Sequence, residues 1–163
     1  MEFESNKLQE MLKELFIQEQ KIKEYIKNTN QRFSFKKFTA DLGEYYAKEY
    51  LLNNGELFKS IEQEASPISE HDLIGELSET SPLKKYFTNN TLRIEVKTRR
   101  GQKGKKYLGG VHPDKFDLLC VIDMNDDYSY NKHHLVDSAT AMKCLDTKYK
   151  RLIFDENKHV MAF

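Results

Sequence analysis

The sequence predicts a mixed α/β domain in which a small β-sheet is flanked by helices. Two long segments near the N-terminus place apolar residues at helical spacing, whereas the segments after residue 55 are short and rich in strand-forming residues. One of them, FDLLCVID at residues 116–123, is almost entirely apolar, as expected for a central strand covered on both faces. The predicted order is helix, helix, three strands, basic loop, two strands, helix and strand, which defines the fold class.

Length and composition indicate one globular domain. The chain has 163 residues, and its 26 basic residues balance its 26 acidic ones. The net charge therefore does not by itself indicate nucleic-acid binding. No apolar run approaches the roughly 18 residues of a membrane helix. The N-terminus also lacks the basic start and apolar middle of a signal peptide. We therefore expect a cytoplasmic protein without a membrane partner. The two cysteines, Cys120 and Cys144, are expected to be buried apolar residues.

Residues 5–27 are predicted to form the first helix, because their apolar residues fall on one stripe at helical spacing. The stripe is interrupted at Gln18 and Glu19, which argues against a long coiled coil. We assign residues 1–30 to an N-terminal helix that either packs on the domain or pairs with a second subunit, and residues 31–163 to the α/β domain. The stripe consists of Leu8, Met11, Leu12, Leu15, Ile22, Tyr25 and Ile26.

Residues 35–53 are predicted to form the second helix, with Ser34 as its N-terminal cap and Asn54-Gly55 at its end. Gly43 lies in the interior of this helix, where glycine costs about 1 kcal/mol relative to alanine. Such a glycine is tolerated where another part of the chain approaches the helix backbone.

The remaining elements are short. The polar segment 78–90 is expected to be a loop, and Ser138 is expected to cap a helix that ends at residue 145. Strands are predicted at residues 57–63, 72–77, 91–99, 116–123 and 133–136, with one or two more within 151–163.

The most informative stretch is LRIEVKTRR at residues 92–100. Side chains alternate along a strand, so Ile94 and Val96 point one way while Glu95 and Lys97 point the other, about 7 Å apart along the strand. An antiparallel sheet with one wet face shows the same alternation, so this pair alone indicates no function.

Three neighbouring features favour a catalytic interpretation of this strand. Asp72 begins a predicted strand expected to adjoin it, and Glu44 lies on the preceding helix. The run from Lys97 to Lys106 contains six Lys or Arg residues and no acid. Mg²⁺ is typically held by one or two carboxylates together with water and substrate phosphate. A nearby lysine can orient the attacking water, so this set of residues suits phosphodiester hydrolysis.

The combination resembles the PD-(D/E)xK nuclease superfamily, which has the restriction-endonuclease-like fold. The resemblance rests on Asp72 and on Glu95-Val96-Lys97, after a helix that carries GEYYA at residues 43–47. It covers roughly residues 35–136, and His71 stands where the family has proline. It implies a central mixed sheet flanked by helices, here with an extra N-terminal helix. It also implies an endonuclease site that uses Mg²⁺, or alternatively Mn²⁺, and duplex DNA as the substrate.

The resemblance also implies a role for each matching residue. Asp72, Glu95 and Val96 would form the metal site, Lys97 would position the attacking water, and Glu44 would be an auxiliary acid. Cutting both strands of a duplex usually requires two subunits, so a homodimer formed through the N-terminal helix is one expected arrangement. Phosphate contacts would come from the basic run, at Arg99, Arg100, Lys103, Lys105 and Lys106.

Two other interpretations remain open. One is a catalytically inactive protein of the same fold that binds nucleic acid or a protein partner. The other is a structural α/β interaction domain in which Glu95 and Lys97 form a surface ion pair. Residues 123–127 begin like an EF-hand loop but lack its glycine and final glutamate, so we interpret them as an acidic turn. We interpret His133 and His134 as solvated or strand-pairing residues.

Overall fold

A computed structural model describes residues 2–27, 29, 33–54, 56–64, 71–101 and 107–161 of the chain, with side chains from residue 6 onward. The helices are α1 (Glu2–Ile26), α2 (Lys36–Asn53) and α3 (Ser138–Lys143), with a short 3-10 helix at Pro82–Lys85. The strands are β1 (Phe58–Gln63), β2 (Leu73–Leu77), β3 (Thr91–Arg100), β4 (Tyr107–Gly109), β5 (Leu118–Met124), β6 (Tyr130–Asp137), β7 (Leu145–Asp146) and β8 (Arg151–Ile153). Within these ranges, no helix has both the length and the apolar character needed to cross a membrane.

The central sheet has five strands in the order β1-β2-β3-β5-β6. Its neighbours pair antiparallel except for β3 and β5, which are parallel, with Val96 opposite Cys120. This is the mixed sheet that the sequence predicts. All seven residues of β5 are buried, as expected for an apolar strand covered on both faces.

The two faces of the central sheet carry separate apolar cores. On one face, residues of α1 and α2 such as Leu12 and Leu51 pack with Ile94 and Val96 of β3. The other face is covered by α3 and by a second, three-stranded sheet in the order β4-β8-β7. The sequence does not predict β4, because three residues beside a basic run carry too weak a pattern. Strand β5, which has residues in both cores, is therefore packed between two layers.

Helix α1 packs on the domain. Leu12 is 3% exposed, and Leu8, Leu15 and Phe16 pack against the same core. The Nε2 atom of Gln9 also donates a hydrogen bond to the hydroxyl of Tyr46 on α2, at 3.1 Å. The predicted stripe is only partly buried, since Met11, Ile22 and Tyr25 are exposed.

Two predicted helix caps are displaced by one residue. Helix α2 begins at Lys36 with Phe35 at its N-cap, although the Ser34 hydroxyl still accepts a long bond of 3.4 Å from the Lys36 amide. At α3 the cap is Asp137 rather than Ser138, because the Asp137 carboxylate accepts the Thr140 amide at 2.8 Å. A carboxylate at the N-cap also interacts favourably with the helix dipole.

The two cysteines are free thiols, as the sequence indicates. Cys120 lies in the centre of β5 and Cys144 is half-buried at the end of α3. Burial raises the pKa of the Cys120 thiol to about 12, so it remains an uncharged apolar residue at neutral pH.

Gly43 allows α2 to lie against β3. A Cβ atom added at Gly43 would lie only 1.8 Å from the Thr98 Oγ1 atom and 2.9 Å from its Cβ atom. The sequence predicts that another part of the chain approaches the helix at Gly43. That part is β3, the strand that carries Glu95 and Lys97.

Replacing Gly43 with alanine should lower the free energy of unfolding by about 1–3 kcal/mol, the range for overpacked sites, despite the better helix propensity of alanine. Urea denaturation measures this change. The control is Gly109→Ala, because an added Cβ there meets no atom within 4 Å, so its effect should stay within about 0.5 kcal/mol. A second replacement, Thr98→Ala, should recover part of the loss. Equal stability of Gly43→Ala and the wild type would contradict the close contact.

Candidate functional site

Asp72 lies where strands β2 and β3 separate. The last residue pair between these strands is Leu73 with Ile94. Beyond it, the Asp72 amide donates to the Ile94 carbonyl at 3.0 Å, and the Asp72 Oδ2 atom accepts the Val96 amide at 2.7 Å. A carboxylate thus replaces the main-chain acceptor that a longer β2 would supply. This bond fixes Asp72 beside Val96, between the two charged residues of the motif.

Glu95 and Lys97 form an ion pair on one face of β3, as the alternation predicts. The Lys97 Nζ atom lies 2.5 Å from the Glu95 Oε1 atom. Glu95 is only 7% exposed, so the pair is mostly withdrawn from solvent rather than lying on the surface. This burial is the first property that distinguishes it from an ordinary surface pair, which stabilises a protein by about 0–1 kcal/mol.

A cleft of about 700 Å³ lies between α1 and α2, with β3 along its base. Asp72, Glu44 and Lys97 line it together with the backbone segment at Val96. Glu95 is not among the described lining residues, but it is paired with Lys97. Three of the four predicted catalytic residues therefore line one cleft, and the fourth is paired with one of them.

The carboxylates at this site repel one another. The pKa of Glu95 is raised, mainly because the group is buried and also because of the negative charge of Asp72, although Lys97 opposes the shift. The pKa of Glu44 is raised by burial and then by Asp72, although the Gln63 side chain donates a bond of 3.0 Å to Glu44. Negative charge at the site is thus incompletely balanced, which is a common property of functional sites.

The donor set at this site fits a hard divalent cation. Asp72 uses one oxygen for the Val96 amide and Glu95 uses one for Lys97, and each carboxylate has a second oxygen with acceptor capacity. Val96 can contribute only its backbone carbonyl. With Glu44, these carboxylates do not form a group whose ligand atoms all lie within 4.8 Å of one another. Two carboxylates with water and phosphate are nevertheless sufficient for Mg²⁺.

The predicted phosphate-binding arginines are engaged within the chain. Arg99 donates from Nε and Nη2 to the two oxygens of Asp123, at 2.5 and 2.7 Å, and its side chain is 13% exposed. Arg100 lines the cleft, where its Nη2 atom lies 2.6 Å from the Glu19 Oε2 atom. The other predicted contacts, Lys103, Lys105 and Lys106, lie outside the described residues.

Glu19 is a residue that the sequence interpretation missed. It is 2% exposed and accepts bonds from Lys23 at 2.8 Å, from Arg100 and from the Tyr128 hydroxyl at 2.7 Å. Burial alone would raise its pKa, but these partners together lower it, so Glu19 is ionised. Glu19 interrupts the apolar stripe of α1, and a charged residue at such a position can indicate a buried ion pair. We interpreted it only as a break in the stripe.

A second cluster contains Asp123, His134 and Glu156, whose potential ligand atoms all lie within 4.8 Å of one another. The His134 Nε2 atom lies 3.3 Å from Asp123 and 3.2 Å from Glu156. Arg99 pairs with Asp123, and Lys132 pairs with Glu156 at 2.8 Å. Each carboxylate thus already has a cationic partner, so this cluster is an ion-pair network joining residues 155–156 to β5 and β6. Sequence spacing gave no sign of it.

Neither a known protein family nor a curated protein sequence matches this chain.

Proposed function

We propose that this protein is a metal-dependent DNA nuclease with a restriction-endonuclease-like fold. The observation that carries the proposal is the carboxylate of Asp72, held by the Val96 amide beside the buried Glu95–Lys97 pair. The mixed five-stranded sheet, covered by helices and by a second sheet, supports the fold assignment.

In this proposal Asp72 and Glu95, with the backbone of Val96, hold a divalent cation, Mg²⁺ or Mn²⁺. When bound, the cation would neutralise the charge that develops on the phosphate and on the leaving oxygen. The raised pKa of Glu95 is consistent with this role, because a bound cation would offset the repulsion between the two carboxylates.

Lys97 orients the attacking water in this mechanism. Its ammonium group is held by Glu95, and the residue is among those that line the cleft. A cation at that position favours loss of a proton from a nearby water to the solvent, and the resulting hydroxide would attack phosphorus while the bond to the leaving oxygen breaks. Glu44 lines the cleft and its pKa is raised by burial and by Asp72, so it is the carboxyl group proposed to protonate the leaving oxygen.

The test is cleavage of plasmid and of single-stranded circular DNA, with Mg²⁺, with Mn²⁺ or with EDTA. We expect cleavage only with the metals and its loss in Asp72→Ala, which should also bind Mn²⁺ at least tenfold more weakly by calorimetry. Asp114→Ala is the control, because its side chain is 63% exposed and lies outside the cleft. If the wild type binds neither metal and cleaves neither DNA, the proposal is wrong.

A further inference from the structure

The cleft has a fixed wall on the side of α1. Glu19 lines the cleft and is held there by Arg100 and Tyr128, at 2.6 and 2.7 Å, while Leu12 anchors the preceding turns in the core. The guanidinium of Arg100 also stacks 3.9 Å above the Tyr128 ring. Because the buried carboxylate of Glu19 has three partners, α1 is held in a fixed position at the edge of the cleft. A substrate must therefore enter between two helices rather than lie across an open sheet.

The size of the cleft suits one strand of a nucleic acid. Its volume of about 700 Å³ lies within the range of about 300–1,000 Å³ that is typical of small-molecule sites. The bases of a B-form duplex are paired and stacked inside the helix, so a duplex does not present a whole nucleotide to a cleft of this size. An unpaired nucleotide, in contrast, is an object of small-molecule size.

The lining contains the two components that single-stranded nucleic-acid sites combine. Phe33 and Phe35 line the cleft just before α2, and Phe33 is 55% exposed. Exposed aromatic rings stack on unpaired bases, and cationic side chains track the phosphates. The lining cation without an ion pair among the described residues is Lys36; Lys23 and Arg100 share the carboxylate of Glu19, and Lys97 pairs with Glu95.

The acidic residues of the lining do not prevent binding of the phosphate chain by charge repulsion. Glu19 is neutralised by its partners, and Asp72 and Glu44 belong to the proposed metal site. Asp126 is the fourth acid and lies beside Gly101, at the end of β3. Lys36 lies at the start of α2, on the same side as the phenylalanines, and has no ion pair among the described residues.

We propose that the cleft binds single-stranded DNA, with an unpaired base stacked on Phe33 and its phosphate chain leading towards Lys97. This inference rests on the proposed function and changes its substrate from the duplex that the family resemblance implies. In a duplex both faces of a base are covered by its neighbours. Exposing one base to Phe33 would cost a few kcal/mol in unpairing and unstacking, which a single strand does not pay.

The test is fluorescence anisotropy with a fluorescein-labelled 12-nucleotide oligo(dT) and with a 12-base-pair duplex, in EDTA so that metal-dependent cleavage does not occur. The single strand should bind at least tenfold more tightly than the duplex. Phe33→Ala should weaken single-strand binding about 5- to 100-fold, from the usual contribution of one stacked base. Phe33→Tyr should retain the affinity. Tyr86→Ala is the matched control, because Tyr86 is also exposed (45%) but does not line the cleft, and it should bind as the wild type does.

Equal binding of duplex and single strand, or unchanged binding by Phe33→Ala, would overturn the inference. The Phe33 side chain is more than half exposed, so its replacement is not expected to disturb folding. Cleavage separates this failure from failure of the proposed function. Duplex cleavage that needs Asp72 but not Phe33 would retain the nuclease and reject the single-stranded substrate. Single-strand binding that needs Phe33, in a protein without nuclease activity, would reject the nuclease and retain the binding site.

Discussion

Replacing Lys97 with alanine should reduce the rate of metal-dependent DNA cleavage by at least about 100-fold, the lower end of the range for a positioned proton-transfer group. The ammonium group is 2.5 Å from the Glu95 carboxylate, and Lys97 lines the cleft, so its loss removes both the group proposed to orient water and the charge that balances Glu95. Single-turnover cleavage of a labelled oligonucleotide measures the change.

The pH dependence gives a second readout of Lys97. Its positive charge lowers the pKa of Glu95 against the effect of burial, so that pKa should rise further in Lys97→Ala. In the proposed site, metal binding requires ionised Glu95, and the acidic limb of the activity profile should therefore move to higher pH. Lys59→Ala is the control, because the Lys59 side chain is 64% exposed and pairs with Glu76 far along the sheet edge. Wild-type rates and an unshifted profile in Lys97→Ala would exclude Lys97 from catalysis.

Replacing Asp123 with alanine should lower the free energy of unfolding by about 3–5 kcal/mol, the usual cost of breaking a buried ion pair. Asp123 is 9% exposed and receives two bonds from Arg99, whose guanidinium would be left buried without its carboxylate. His134 would lose the same partner. Because these groups lie on β3, β5 and β6, the change should weaken the centre of the sheet. Guanidinium denaturation measures it.

Two controls separate the loss of this pair from general effects of charge removal. Glu76→Ala breaks an exposed pair of similar length, 3.0 Å to Lys59, and should cost at most about 1 kcal/mol. The double replacement Arg99→Met and Asp123→Leu removes both charges and should recover most of the stability, since apolar pairs often substitute for buried ion pairs. Wild-type stability of Asp123→Ala would show that Arg99 is not held by this carboxylate, and Arg99 would again be a candidate for phosphate contact.

The sequence was sufficient to predict the central sheet and the faces of β3. Strand alternation gave the opposite orientations of Val96 and Glu95, and the apolar run gave the buried strand β5. The place of Asp72 beside β3 also followed from strand order. These features depend on local periodicity, which can be identified from residues that are close together in the sequence.

The partners of the arginines could not be predicted, because they depend on the register between distant strands. Arg99 and Arg100 appear in the sequence as the start of a basic run. In the structure, the parallel pairing of β3 with β5 brings Asp123 opposite Arg99, while α1 brings Glu19 to Arg100. The two arginines of the run are thus neutralised by carboxylates from other elements. Likewise, β4 has only three residues, too few for their periodicity to identify it, whereas β8 lies within residues 151–163, where a strand is predicted.

The bonds of Glu19 have a consequence for the order of folding. They join α1 to Arg100 and Tyr128, which are 81 and 109 positions away in the chain. Contacts of such separation carry a large loop-closure entropy and generally form late. Before β3 and the turn after β5 are in place, Glu19 has only Lys23, on its own helix, among its three partners to compensate its burial. Docking of α1 should therefore follow formation of the central sheet. A chain arrested before that step would have its sheet but not the second wall of its cleft.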